Sequence, residues 1–148
     1  MSATQYDPDV VIDAGNCILG RVASMVATRA LEGARLAVVN AEDAVVTGER
    51  TAVFEEYQGA LSQGSDQGPA TAKRPDTILK QSIRGMLPHK RQRGRDALEN
   101  VRVYVGNPFE DDDVPSEVLE GTTLDRLSNI RFVHLHEIAE QLGAKVTW

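Results

Sequence analysis

Cysteine is almost absent from the sequence: Cys17 is the only one in 148 residues. A single cysteine excludes an internal disulfide and any zinc site built from several cysteines. No apolar run approaches the ~20 residues that a membrane-spanning helix needs. Residues 1–10 also lack the basic and apolar regions of a secretory signal. The sequence therefore predicts a cytoplasmic protein that does not enter a membrane.

Aromatic residues are scarce as well, at 5% of the chain, so the core is expected to be aliphatic. The length is typical of one domain that buries roughly two thirds of its unfolded surface. Acidic residues exceed basic ones and give a net charge of −6. Because this excess is combined with few lysines, it suggests a protein of a high-salt cytoplasm.

Continuous apolar runs at residues 10–12 and 36–39 are typical of strands covered on both faces. Between them, apolar residues recur at helical spacing from Leu19 to Leu31, and Gly33 follows where a helix end favours glycine. This order predicts a βαβ unit with parallel strands. Two further strands are predicted at Val101–Val105 and Phe132–Leu135.

We therefore predict one α/β domain over residues 10–148, with a mainly parallel four-stranded sheet and helices on both faces. A polar tail is predicted over residues 1–9. The acidic stretch at residues 110–121 is expected to be a mobile surface loop. Helical spacing and start or stop signals predict five more helices, at residues 49–61, 75–87, 96–100, 122–129 and 137–142.

The turn after the first strand is similar to a phosphate-binding loop. Gly15 and Gly20 have the spacing of G-x-x-x-x-G-K-[ST], between a strand and a helix. Arg21 replaces the lysine that reaches the phosphates, and Val22 replaces the hydroxyl that holds Mg²⁺. A nucleotide-binding α/β enzyme that uses the Gly15–Arg21 turn is therefore an alternative, while a tight turn is the simpler interpretation.

Other catalytic and metal-binding patterns are lacking. Cys17 has no histidine nearby in the sequence, and no serine lies in a G-x-S-x-G context. His134 and His136 share a predicted strand face, but only Glu137 follows at ligand spacing. We therefore predict a protein that is not an enzyme, with no catalytic residues, no metal, no cofactor and no small-molecule substrate.

Positive charge is concentrated in the basic segment, residues 73–95 (KRPDTILKQSIRGMLPHKRQRGR). It carries about +7, whereas the remaining 125 residues carry about −13. Such a segment suits local contact with a polyanion, although charge runs are commonly solvated faces. Its arginines suit bidentate phosphate and guanine contacts, and the lack of interleaved aromatics favours folded RNA over stacked single strands. The predicted RNA-binding residues are Arg21, Lys73, Arg74, Lys80, Arg84, His89, Lys90, Arg91, Arg93 and Arg95.

Several motifs resemble the ribosomal protein L13 family of the large subunit, and specifically its archaeal branch. The signature lies at Ile83–Pro88 (IRGMLP), Gly94-Arg95 and Val101–Gly106 (VRVYVG). The agreement extends in order over nearly the whole chain, through Val11–Ala14, Leu19–Ser24, Val38–Ala41, Val46–Gly48, Lys73–Pro75, Gly106–Pro108, Leu124–Asn129 and Trp148.

The resemblance implies an α/β domain in a non-enzymatic subunit of the large ribosomal particle. It implies 23S rRNA and neighbouring large-subunit ribosomal proteins as partners, and a role early in assembly. Residues 110–121 are the least family-like part, so we expect no RNA contact there. The acid-rich surface is similar to that of haloarchaeal members. A free regulatory RNA-binding protein outside the ribosome would share all these features and stays an alternative.

Overall fold

The protein is described by a computed structural model over residues 6–63, 72–112, 114–123 and 131–148. Its strands are β1 (Val10–Asp13), β2 (Leu36–Val39), β3 (Val45–Thr47), β4 (Val101–Val103), β5 (Ser116–Glu117) and β6 (Phe132–His134). Its helices are α1 (Leu19–Leu31), α2 (Arg50–Gln63), α3 (Pro75–Gly85), α4 (Gln92–Glu99) and α5 (Leu135–Gln141), with one short 3-10 helix at Ala41–Asp43. No helix of the described residues is long and apolar enough to cross a lipid bilayer.

The central sheet has the strand order β4-β2-β1-β5, and all of its neighbouring strands are parallel. Ile12 of β1 lies opposite Val38 of β2, and Val11 lies opposite Ala37. Successive side chains point to opposite faces, so the continuous apolar runs supply one core on each side. The predicted α/β class and the four-stranded parallel sheet are confirmed.

The larger core lies on the face of the sheet that carries Ile12 and Val38. Val22 of α1, together with Leu79 and Ile83 of α3, is fully buried against this face. Truncating a buried leucine or isoleucine to alanine typically costs about 2–5 kcal/mol. These contacts therefore hold α3 firmly by its apolar side and leave its opposite side in solvent.

The second face of the sheet is covered in a different way from the first. Among the described residues, Val11, Ala37 and Val39 pack against Phe109, with Tyr6 at the periphery. Tyr6 precedes β1 and Phe109 lies in the turns that follow β4, so these covering side chains come from segments outside the helices. Helices were expected on both faces of the sheet. The described helices contribute buried residues only to the larger core, on one face.

The fourth strand of the sheet is not the one that was predicted. Phe132–His134 pairs antiparallel with β3, a strand that was not predicted, in a separate two-stranded sheet. The fourth parallel strand is Ser116–Glu117, inside the stretch expected to be an acidic loop, and it pairs with β1. Leu119 just after it is buried and anchors it. The helix predicted at residues 122–129 falls mainly outside the described residues.

Candidate RNA-binding surface

The basic segment folds into α3, a turn over residues 86–91 and the first half of α4. Pro75 occupies the first turn of α3, where its fixed φ suits a helix and its missing N–H costs nothing. Residues 92–95 were expected to form a loop or the approach to a helix that begins at Asp96, and this was wrong. They form the first turn of α4, so Arg93 and Arg95 project from a helix.

Gly94 fits α4 tightly against the preceding turn. A Cβ atom at this position would lie 2.1 Å from the carbonyl oxygen and 2.3 Å from the carbonyl carbon of Pro88. Only glycine permits so close a backbone approach. The amide of Arg91 also donates a hydrogen bond to the Pro88 oxygen at 2.9 Å. The turn that carries Lys90 and Arg91 is therefore held against α4 by backbone contacts.

Five cations of the basic segment are exposed, and none has a side-chain hydrogen bond or ion pair with any described residue. They are Lys73, Arg84, Lys90, Arg91 and Arg93. The last three surround the N-terminus of α4, where no side chain caps the helix. The first amides of a helix lack intrahelical partners and carry partial positive charge, so this end of α4 favours an anion.

Three other cations of the segment have protein partners. Arg74 pairs with Asp76 at 3.2 Å. Arg95 donates one hydrogen bond to the backbone oxygen of Lys90 at 3.1 Å. Lys80 donates to the backbone oxygen of Val101 at 2.9 Å, and burial, followed by the nearby Arg102 charge, lowers the pKa of Lys80. Lys80 thus ties the segment to β4, whereas these contacts of Arg74 and Arg95 lie within the segment.

A cleft of about 600 Å³ opens beside the segment, between α3, α4 and β4. We call it the Lys80 cleft. It is lined by Lys80, Arg95, Leu98, Glu99 and Arg102. Three cations and one carboxylate thus converge on one concave surface. A second groove, between α4 and the C-terminal end of α1, contains Arg93.

The family model "Ribosomal protein L13" matches residues 8–110, which includes the whole basic segment and β4. The chain belongs to this family. Two relatives carry the name large ribosomal subunit protein uL13. The one from Natronomonas pharaonis is 61% identical to this chain and the one from Haloarcula marismortui 57%, each over 148 residues, which is the full length of this chain and of the relative. The protein of that name from Methanococcoides burtonii is 45% identical over 136 residues, covering 91% of this chain and 98% of the relative. The expected resemblance to archaeal and haloarchaeal members is confirmed.

In this L13-family chain, the amides of Gly15 to Ile18 in the turn that resembles a phosphate-binding loop already donate to protein acceptors. The amide of Gly15 donates to the Asp13 carboxylate at 2.9 Å, and that of Cys17 donates to Ala14 at 3.1 Å. The amide of Ile18 donates to Thr122 at 2.7 Å. Because a phosphate cradle needs these donors pointing at the ligand, the geometry favours a structural turn.

Arg21 lies apart from the basic segment. Its guanidinium donates a hydrogen bond to the backbone oxygen of Gly121 at 2.9 Å. It is about 14 Å along α1 from Ala30, which borders the groove containing Arg93. The structure thus brings Lys80 and Arg95 to one cleft and leaves Arg21 at the other end of α1.

Sequence reasoning missed three residues beside the Lys80 cleft. The hydroxyl of Tyr6 donates to the backbone oxygen of Asn100 at 2.6 Å. The guanidinium carbons of Arg35 and Arg102 lie 5.1 and 5.3 Å from its ring centre, within cation–π range. The alternation Val101-Arg102-Val103 places Arg102 on an outward face and was the available signal. These residues extend the positive surface beyond the basic segment.

His134 and His136 lie side by side at the start of α5. His134 and His136 stack at 5.3 Å, and His136 contacts Glu140 at 3.2 Å. No cluster of three or more His, Cys, Asp or Glu side chains able to hold a metal occurs among the described residues. His89 is partly buried in the turn between α3 and α4, beside the exposed cations.

Proposed function

We propose that this protein is a structural, non-enzymatic constituent of the large ribosomal subunit in the cytoplasm, and that it binds 23S rRNA through the basic segment during early assembly. One observation carries the proposal. Five exposed cations that have no side-chain partner among the described residues are collected on one segment of an otherwise acidic L13-family chain. Neighbouring large-subunit ribosomal proteins are the further partners. Residues 110–121, being acidic, are expected to make no RNA contact.

The geometry suits recognition of folded RNA through its backbone. Arg84 projects from α3, and Arg91 and Arg93 flank the N-terminus of α4. Phosphates are favoured at this end of α4 because its first amides lack intrahelical partners, the helix dipole is positive there, and Arg91 and Arg93 lie beside it. The close contact of Gly94 with Pro88 holds these groups in place before binding, which reduces the ordering that binding would otherwise require.

Salt dependence reports how many cations meet phosphates. If the five cations without a partner among the described residues make these contacts, the slope of log K against log salt concentration should be about −4, whereas eight contacts would give about −7. Near 1 M salt the Debye length is about 3 Å, so long-range attraction is nearly absent. Binding in a saline cytoplasm therefore needs close, desolvated contacts as well.

The test is binding of the full-length protein to a 23S rRNA transcript over a series of KCl concentrations. Arg91→Gln and Arg93→Gln should each weaken binding and reduce the slope by about 0.7–0.9. The matched control is Arg131→Gln, an exposed arginine outside the segment whose contact with Glu49 spans 3.6 Å. If the control lowers the slope as much as the other two, the basic segment is not the contact surface.

Two experiments separate the alternatives. Calorimetric titration with ATP or GTP would detect the nucleotide-binding enzyme, since micromolar binding would support it and no heat would count against it. Co-sedimentation with ribosomal subunits would separate a ribosomal constituent from a free regulatory RNA-binding protein. We expect the protein in the large-subunit fraction.

A further inference from the structure

The Lys80 cleft contains a carboxylate that the fold does not explain. Glu99 is the last residue of α4, where the helix dipole disfavours negative charge. It lines the same cleft as Lys80, Arg95 and Arg102, yet it forms no ion pair within the part of the chain that the structure describes. Neither helix stability nor an internal salt bridge accounts for it.

A carboxylate is also an unusual feature of a surface that meets phosphates. An ionised carboxylate has only acceptor atoms, so it repels a phosphate and accepts hydrogen bonds from N–H groups. Inside a cationic cleft, Glu99 can therefore contribute to RNA binding only by contacting a donor on a base or a sugar. The cleft therefore combines cations, which can bind phosphate, with one carboxylate, which can accept hydrogen bonds from N–H groups.

Guanine fits such an acceptor better than the other RNA bases do. Its Watson–Crick edge presents N1–H and the N2 amino group side by side, which matches the two oxygens of one carboxylate. Adenine and cytosine place a ring-nitrogen acceptor beside the amino group, and uracil has one N–H between two carbonyls. Unpaired bases are the ones that proteins read on this edge, because paired bases have it occupied.

The remaining features of the cleft suit one nucleotide. Its volume of about 600 Å³ lies within the range of small-molecule sites. Leu98 supplies an apolar wall for a base, and arginine guanidinium planes stack on bases. Lys80 uses one N–H on the Val101 oxygen, which leaves two donors on its ammonium group.

We propose that the Lys80 cleft receives one unpaired guanosine of the rRNA, with Glu99 accepting hydrogen bonds from guanine N1–H and N2–H and the surrounding cations facing its phosphates. This proposal rests on the proposed function, that the protein binds 23S rRNA. It goes beyond that function because it assigns base-specific recognition to a surface otherwise suited to backbone contacts.

Chemical probing of 23S rRNA tests the assignment, with a reagent that modifies the N1 and N2 atoms of unpaired guanines. The wild-type protein should protect one such guanine, and Glu99→Gln should lose that protection while other protected positions remain. Replacing that guanine with adenine should weaken binding of the wild type about tenfold and leave Glu99→Gln binding nearly unchanged.

Affinity gives a second test, because the two explanations of Glu99 predict opposite signs. If Glu99 contacts guanine, Glu99→Gln should bind about tenfold more weakly, since the amide keeps one acceptor and adds a donor that opposes guanine. If Glu99 only repels phosphates, the same change should strengthen binding by about two- to fivefold. Glu32→Gln, an exposed carboxylate at the end of α1, controls for the change in charge.

The outcomes separate this inference from the proposed function. The guanosine site is overturned, and rRNA binding left intact, by either of two results. One is that the wild type binds but protects no guanine in a way that depends on Glu99; the other is that Glu99→Gln binds more tightly. Failure of the wild-type protein to bind 23S rRNA overturns both. Glu99 is exposed at the end of α4, so Glu99→Gln should unfold at the same temperature as the wild type or slightly higher, which would exclude misfolding as the cause.

Discussion

Replacing Gly94 with alanine should damage both stability and RNA binding. The new Cβ would lie 2.1 Å from the Pro88 oxygen, 2.3 Å from the Pro88 carbon and 2.8 Å from the His89 nitrogen. Non-bonded carbon contacts are favourable at about 3.5–4.0 Å, so the overlap exceeds 1 Å. All three atoms belong to the backbone, so no side chain can rotate away. Either α4 or the turn must move.

The expected cost follows from two opposing effects. Forcing extra volume into a packed site costs about 1–3 kcal/mol, and a clash with backbone belongs at the upper end. Alanine in a helix recovers up to about 1 kcal/mol relative to glycine. The net loss of unfolding free energy should therefore be about 2 kcal/mol. For a chain of this size that corresponds to a fall in Tm of about 4–8 °C.

Gly85 provides the matched control, because it lies in the same basic segment and at the end of α3. A Cβ at Gly85 would have no neighbouring atom within 4 Å, so Gly85→Ala should leave stability unchanged or raise it by up to about 1 kcal/mol. Both variants keep every charge, so a change in RNA binding reports geometry alone. Gly94→Ala should bind 23S rRNA more weakly, because the clash moves the turn that carries Arg91 relative to α4, which carries Arg93. Gly85→Ala should bind normally.

Thermal and urea unfolding followed by circular dichroism, at one fixed KCl concentration, measures the stability difference. The reasoning would be refuted if Gly94→Ala unfolded within 0.5 kcal/mol of the wild type, a limit about as large as an ordinary surface substitution. An equal loss in Gly85→Ala would show that any alanine in the segment is harmful and that the Pro88 contact is not the cause.

Two titratable groups give further predictions, both measured by urea unfolding as a function of pH. Burial lowers the pKa of Lys80 in the folded protein, so the unfolded chain binds this proton more tightly. The wild type should therefore gain stability relative to Lys80→Met as pH rises from the lowered pKa toward 10.5. The same pH dependence of unfolding free energy in both proteins would contradict this. The hydrogen bond from Arg50 holds the pKa of Glu137 below 4.5, and this carboxylate also accepts the His134 amide at 3.0 Å at the start of α5. Its stabilisation is present above pH 4.5 and lost as pH falls through the lowered pKa, so Glu137→Gln should cost about 1 kcal/mol at neutral pH and less in acid. Glu140→Gln is the control and should show neither effect, because among the described ion pairs Arg50 contacts Glu137, whereas Glu140 contacts His136 at 3.2 Å.

Much of the fold could be predicted because several elements carry their own signals. The runs at residues 10–12 and 36–39 are buried on both faces, and α1 has a complete apolar stripe that ends before Gly33. α3 begins at a proline and has Leu79 and Ile83 on one side. In each case the local pattern and the tertiary environment require the same structure, and the prediction was confirmed.

The elements that were missed depend on distant partners. β5 has two residues, too few to show any periodicity, and it is a strand only because β1 lies beside it. β3 was not predicted, and β6 was predicted as a strand but placed in the central sheet. They have three residues each and pair with one another across nearly 90 positions of sequence. The start of α4 is polar and contains glycine, which argues against a helix locally. Contact of Gly94 with the turn and burial of Ala97 override that tendency.

The positive charge of the basic segment could be located from the sequence. Which of its cations contact the rest of the protein and which remain exposed could not. Lys80 and Arg84 lie four residues apart on α3 and look equivalent in a helical pattern. Only Lys80 reaches the Val101 oxygen, because β4 runs beside that part of α3. Which cations remain available for RNA is therefore a tertiary property, and it reduces the expected salt slope from about −7 to about −4.

The two glycines of the segment show the same limit of sequence reasoning. Glycine and proline interrupt helices, so Gly85 and Pro88 look like the residues that shape the turn presenting Lys90 to Arg95. Pro88 does contribute, through its carbonyl group, but its partner is Gly94, six residues later and inside a helix. A missing Cβ matters where two backbones meet, and that meeting is invisible in a local pattern. The geometry of the basic segment thus depends on the glycine that looked least like part of a turn.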